Sequence, residues 1–213
     1  MSSANSYAAQ GATLKLGPAT AAAKTITAAT KANPVKLTCT AHGLAEGTPV
    51  VLSAFVGMTE LNGKAGIVRV VDANSFEVPG IDSTAFGTYS SGGSATPTQV
   101  TVGNFISWSG LNGQASVIDC TDLDSTAKES KPGLMDNGTF DIQTQVNDTD
   151  NGQQVLRSSL AGAGPTTTFL LTFKNGKTRT FTAYCTSAPE QGGVDTIITG
   201  SFSCKISGSV TRG

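Results

Sequence analysis

Apolar and polar residues alternate with a period of two along most of this chain. TFDIQTQVN (139–147) and TRTFTAYCTSA (178–188) show it most cleanly. Successive side chains of a strand point to opposite faces, so this pattern dictates half-buried β-strands and leaves little room for helices. It predicts strands in ATLKLG (12–17), VKLTCT (35–40), PVVLSAFV (49–56), AGIVRVVD (65–72) and SFEV (75–78). Further along it predicts them in QVTVGNFISWSG (99–110), ASVIDCTD (115–122), TTTFLLTF (166–173) and DTIITGSFSCKISGSV (195–210). KNGK joins TTTFLLTF to TRTFTAYCTSA, and Asn-Gly is the strongest short hairpin signal.

Helical spacing appears once, in DTDNGQQVLRSSLAG (148–162). There Asp148 or Asp150 can cap the start, Val155, Leu156 and Leu160 share a face, and Gly162 can end the helix. The polar stretch TDLDSTAKESKPGLMDNG (121–138) is expected to be a long loop. STAFGTYSSGGSATPT (83–98) has the composition of a linker. The fold class is therefore mainly β: a β-sandwich with one flanking α-helix. Composition shifts suggest a host domain of residues 1–20 and 96–213, interrupted by a small all-β insertion of residues 21–95. Insertion requires the host's two ends to lie close together, so ATLKLG and QVTVGNFISW should be neighbouring strands.

Chemistry-bearing residues are sparse. The chain has one histidine, His42, between two alternating strands, with Glu46 and Glu60 nearby in sequence but nothing to fix them in one site. A turn residue bonded to local backbone is the expected role. Cys39, Cys120, Cys185 and Cys204 form no CxxC pair, which argues against zinc, and each sits in an alternating segment where a free thiol acts as a small buried hydrophobe. Asp119, Asp122 and Asp124 lie close in sequence but lack the glycine and closing Glu of a calcium loop. No P-loop or GxGxxG is present, and no catalytic, cofactor or metal residue is assigned; an enzyme is not expected.

With 14 basic and 15 acidic residues, the net charge of −1 gives no concentrated basic face for duplex DNA. No stretch approaches a membrane span, and MSSANSYAAQGATLKLG lacks the basic start and apolar run of a secretory signal. The expectation is a soluble protein made in a cytoplasm.

Two stretches resemble known families. IDCTDLDSTAKESKPGLMDNGTFDIQTQVNDTDNGQQVLRSSL (118–160) and GGVDTIITGSFSCKISGSV (192–210) resemble, in order and spacing, the major tail tube protein of long-tailed, non-contractile bacteriophages. The pieces AHGL, GMTELNG and NSFEV within 26–93 resemble a phage β module named for the FCCH fold of ubiquitin-activating enzymes, so His42 marks a module signature. The first resemblance implies a tail-tube β-sandwich whose subunits close into hexameric rings stacked as a tube. Its implied partners are other copies of itself, a tape measure protein in the lumen, tail tip initiator and tail terminator proteins, and DNA in transient passage. The implied location is the virion, after assembly in the host bacterial cytoplasm. The loop 121–138, with Asp122, Asp124, Lys128, Glu129 and Lys131, is implied to reach neighbouring subunits and the next ring, ordering on assembly. The alternative is a virion decoration or carbohydrate-binding adhesion protein, with Phe55, Phe86 and Tyr89 stacking on sugar.

Overall fold

The computed structural model describes residues 9–162 and 165–213. Residues 1–8, the start of the segment 1–20 assigned to the host domain, lie outside the described residues. Strand β1 (Thr13–Leu16) comes first and an all-β module follows. The module's strands are β2 (Lys24–Thr25), β3 (Ala28–Ala29), β4 (Val35–Thr38), β5 (Pro49–Val56), β6 (Ala65–Ile67), β7 (Arg69–Asp72), β8 (Ser75–Val78) and β9 (Ser91–Pro97). They form two four-stranded sheets, ordered β2-β9-β5-β6 and β3-β4-β8-β7. Leu37, Leu52 and Phe76 from the two sheets, with Ile26, Met58 and Leu61 from the connections between strands, belong to one core.

Two expectations fail inside this module. AGIVRVVD is not one strand: it leaves the first sheet at buried Val68, whose N–H bonds to Thr48 O at 2.9 Å, and enters the second. Half of the expected linker 83–98 is β9, which lies inside its sheet between β2 and β5. Small residues hide its period. A Cβ on Gly93 would sit 2.8 Å from the Phe55 ring, so the pattern there cannot be apolar.

The rest of the chain supplies β10 (Val100–Thr101), β11 (Phe105–Gly110), β12 (Gln114–Asp119), β13 (Ser130–Asp136) and β14 (Thr139–Gln145). Helix α1 (Asn151–Ala161) follows, then β15 (Thr167–Thr172), β16 (Thr178–Ser187), β17 (Glu190–Gln191) and β18 (Thr199–Arg212). The large sheet runs β10-β1-β15-β16-β18-β14-β11, with β17 pairing with β18. β1 and β10 are antiparallel neighbours, with Leu16 opposite Val100.

QVTVGNFISWSG is therefore two strands at opposite ends of the sheet order. Only residues 102–104 join them, a link of at most about 14 Å. Val102 N–H bonds to Leu14 O beside one edge, and Asn104 O accepts from Gln145 N–H beside the other. The sheet must therefore curl into a sandwich-like, incompletely closed barrel, its two edges within about 14 Å of each other at this link. The fold is mainly β with one flanking α-helix, as the alternation predicts. Phe140, Phe169 and Phe181 fill the interior, with ring centroids 5.1 Å apart for Phe140–Phe181 and 5.4 Å for Phe169–Phe181.

Helix α1 begins where Asp150, one of the two N-cap candidates, accepts from Gln153 N–H at 2.9 Å. Val155 and Leu156 are fully buried, but Leu160 is not on their face; it is exposed. Polar Gln153, Ser158 and Ser159 take the inward places. Each is satisfied: the Gln153 amide, for example, donates to Gln145 O at 2.8 Å and accepts from Asn147 N–H at 3.0 Å. Amphipathic spacing misses such a face because its buried groups are paired rather than apolar.

Candidate functional site

His42 is buried and held between backbone groups. Its Nδ1 accepts from Leu44 N–H at 2.9 Å, which leaves the proton on Nε2 to donate to Asp72 O at 2.8 Å. The ring edge packs on Phe76, centroids 5.4 Å apart. Both nitrogens are thus occupied in fixing a turn. Glu46 accepts from Val70 N–H at 2.6 Å and Glu60 from Gly87 N–H at 3.0 Å, so the two carboxylates brace separate segments. Among the described residues, no group of three His, Cys, Asp or Glu side chains could hold a metal ion. Nor, among the described residues, is any helix long and apolar enough to cross a membrane.

The aromatic platform considered for sugar is absent as such. Phe55 is buried, and Tyr89 packs edge-on against it at 6.4 Å while its hydroxyl donates to Gly92 O at 2.8 Å. Phe86 lies partly buried against the same core.

The stretch expected as a loop at 121–138 proves to be half strand. β13 pairs with β12 alone, with Ala115 opposite Met135 and Val117 opposite Pro132. Only residues 120–129 form the tip. Pro132 and Gly133 weaken the sequence signal, yet a strand with a free edge tolerates a proline. β11 leads into β12 and β13 into β14, so residues 105–145 form one bent hairpin whose outer half leaves the barrel. The bend uses Gly110 (φ 115°) and Gly138 (φ 73°), conformations that disfavour residues with a Cβ. Its base is pinned to β18. Lys205 Nζ contacts both Asp136 carboxylate oxygens at 2.7 Å, and Asn137 donates to Gly208 O at 2.6 Å. The Lys205 bond, aided by Gly138 N–H, lowers the Asp136 carboxyl below its ordinary range.

This arm has no core of its own. None of its residues joins either hydrophobic cluster. Val117 is 77% exposed, Leu123 105%, Leu134 91% and Met135 65%. Six residues of β12 extend about 20 Å, and a bare two-stranded ribbon is marginally stable in water. The five charged residues singled out in the sequence, Asp122, Asp124, Lys128, Glu129 and Lys131, all lie on this arm and are all exposed. Asp122 accepts from Asp124 N–H at 3.0 Å and so shapes the tip. Residues 114–136 carry five acids and two lysines, a net −3; the whole chain is −1, so the remainder is +2.

A second apolar exposure was not foreseen. Residues 195–198, expected in the last strand, belong instead to the 192–198 turn between β17 and β18, where Val194, Ile197 and Ile198 are exposed. Ile106 on β11 is exposed too and lines a depression of about 360 Å³ with Pro189, Glu190 and Thr199. The run Ile197-Ile198 beside Gly192-Gly193 was the available clue. Cys120, expected buried, is half-exposed on the arm, whereas Cys39, Cys185 and Cys204 are buried; all four are free.

Residues 32–100 match the family model of the ubiquitin-activating enzyme E1 FCCH domain, about a third of the chain. No curated protein matches. Similar solved structures include a chain of the anti-feeding prophage baseplate, at 8% identity and TM-score 0.45, covering 55% of this chain and 85% of that one. A chain of the native gene transfer agent virion is 14% identical, TM-score 0.44, covering 54% and 88%. A chain from the tail of the empty gene transfer agent particle is 12% identical, TM-score 0.42, covering 62% and 92%.

Proposed function

We propose that this chain is a structural subunit of a phage-type virion tail, which self-associates into stacked hexameric rings forming a tube for DNA passage. The projecting β12–β13 arm carries this reading. Its exposed Val117, Leu123, Leu134 and Met135 have no partner surface among the described residues, and so many exposed apolar side chains on one projecting element mark an association surface. The tail tube resemblance of residues 118–160 falls on this arm, its continuation β14 and helix α1. The sign of the charge selects the contact: an arm of −3 is repelled by another arm and attracted to a body of +2. Arm-to-body contact is heterologous, the kind that closes rings. No catalytic role is included, and the tape measure, tip initiator and terminator proteins are proposed as partners on the resemblance alone.

Electron microscopy and sedimentation of the purified chain test this. Six-fold rings or tubes are expected, and Val117→Asp with Leu134→Asp should return the protein to a folded monomer. Persistent monomers of the unaltered chain at high concentration, with and without a tail tip initiator, would contradict it.

A further inference from the structure

Cys185 and Cys204 stand directly opposite each other on β16 and β18, in the middle of the large sheet. Opposed residues share a face, and here it is the core: Cys185 is 4% exposed and Cys204 not at all. Two hydrogen bonds define the geometry of the pair. Cys185 N–H turns away from β18 to Ser159 Oγ at 3.2 Å. Two residues beyond Cys204, in the same alternation phase, Ile206 N–H points to Gly138 O beside β14, not to β16. Cys185 and Cys204 are therefore a non-hydrogen-bonded pair, whose Cα atoms approach to about 4.5 Å, inside the range that a disulfide spans. The Cys185 thiol donates to Ser187 O at 3.3 Å, and hydrogen bonding between the two sulfurs lowers Cys185 below the usual thiol range and raises Cys204.

We infer that Cys185 and Cys204 are a site of covalent modification, which a small peroxide converts into a cross-strand disulfide. The Cys185 thiolate attacks one oxygen of hydrogen peroxide, giving a sulfenic acid and, after protonation, one water. Cys204 then attacks that sulfur, forming the S–S bond and releasing the second water. Two thiols and one peroxide thus give one disulfide and two waters. A register shift between Cys185 and Ser187 interrupts the ladder beside the pair, where Cys185 keeps the residual exposure that Cys204 lacks. The bond would close the segment 185–204, tying the base of the 192–198 turn that exposes Val194, Ile197 and Ile198. This chemistry stands apart from the tail reading, since it needs only the folded subunit.

The test treats native protein with dilute hydrogen peroxide, quenches with catalase and alkylates in denaturant without reductant. Two alkylated cysteines per chain are expected in place of four, with peptides from β16 and β18 joined and dithiothreitol restoring all four. Amide exchange in residues 192–198 should slow in the oxidised form. In a Cys204→Ser variant, Cys185 should accumulate as a sulfenic acid trapped by dimedone. Four alkylated thiols after treatment, a sulfinic acid at Cys185 without linkage, or a linkage through Cys39 or Cys120 would each overturn the inference. Wild-type mapping alone decides the matter if the variant does not fold.

Discussion

Ser158 shows how a single polar side chain can carry a junction. Its hydroxyl accepts from Ile67 N–H at 3.0 Å and donates to Pro79 O at 2.6 Å, while the residue is nearly inaccessible. Ser158→Ala leaves both backbone groups buried and unpaired, at a cost of about 1–3 kcal/mol each at most. We expect urea unfolding to show a stability lower by about 2–6 kcal/mol in total, read as a lower midpoint at unchanged slope; a loss under about 0.5 kcal/mol would mean that water replaces the hydroxyl. Asp136 offers a pH-dependent test at the arm's base. Its carboxyl is lowered from the ordinary 3.8, so its contact with Lys205 stabilises the folded state above that value and is lost as pH falls through the lower folded value. Carbon-detected NMR should place its titration below 3.8 and move it upward in Lys205→Ala. An identical titration in both proteins would remove Lys205 as the cause. His42 and Ser158 also mark what sequence could and could not convey. A histidine inside TAHGL is legible as a turn residue; a serine on a helix gives no hint that two distant segments, at Ile67 and Pro79, end on it.

At the scale of elements, the arm separates stability from association. Val117 and Leu134 contribute nothing to either core, so Val117→Asp with Leu134→Asp should alter subunit stability by no more than about 0.5 kcal/mol per site. Assembly, by contrast, should be abolished, because aspartates would enter a desolvated contact and add to an arm already at −3. Sedimentation velocity beside thermal unfolding reads both quantities. A large fall in melting temperature would place the arm inside the fold, and normal assembly would place the contact elsewhere. The sequence disclosed elements with ordinary alternation: β5 and β14 lie where the period puts them, and of the two candidates Asp148 and Asp150 it is Asp150 that caps the helix. It concealed those whose packing is unusual. β9 uses glycine and serine because Phe55 already fills the space, and β13 contains Pro132 and Gly133 because it has no sheet on its outer side. QVTVGNFISWSG alternates up to Val102, and Gly103-Asn104, with Asn104 at φ 53°, is the local turn signal at which the chain crosses from one sheet edge to the other. The candidate surface was legible in position, since the charged residues of 121–138 do lie on it. It was not legible in character, because Val117 stands in an ordinary alternating segment while Leu134 and Met135 fall in a stretch whose polar composition suggests a loop.

The whole molecule turns on whether the module 21–95 is a passenger. Its ends are paired with each other, Lys24 opposite Ala95 and Thr25 opposite Ser94, which is the geometry an insertion needs. Yet Ala65 and Ile67 belong to the barrel's hydrophobic cluster, and their N–H groups bond to Gln154 and Ser158 of α1 at 2.7 and 3.0 Å. Replacing 21–95 by a short Gly/Ser linker removes the burial of Ile67, about 1.5–3 kcal/mol. It also removes two or three hydrogen bonds at roughly 1 kcal/mol each. The opposing gain from a shorter loop is about 0.6 kcal/mol per halving, and much of it is already realised because the folded module holds its own ends together. The losses win. We therefore expect the truncated protein to fold with a melting temperature several degrees lower, not unchanged. A second substitution identifies the cause. Ser158→Ala should be costly in the full chain and nearly neutral in the truncated one, because its partners Ile67 and Pro79 leave with the module. Equal costs in both backgrounds would show that α1 draws no support from the module. A truncated chain as stable as the full one would restore the picture of a separable decoration on the barrel.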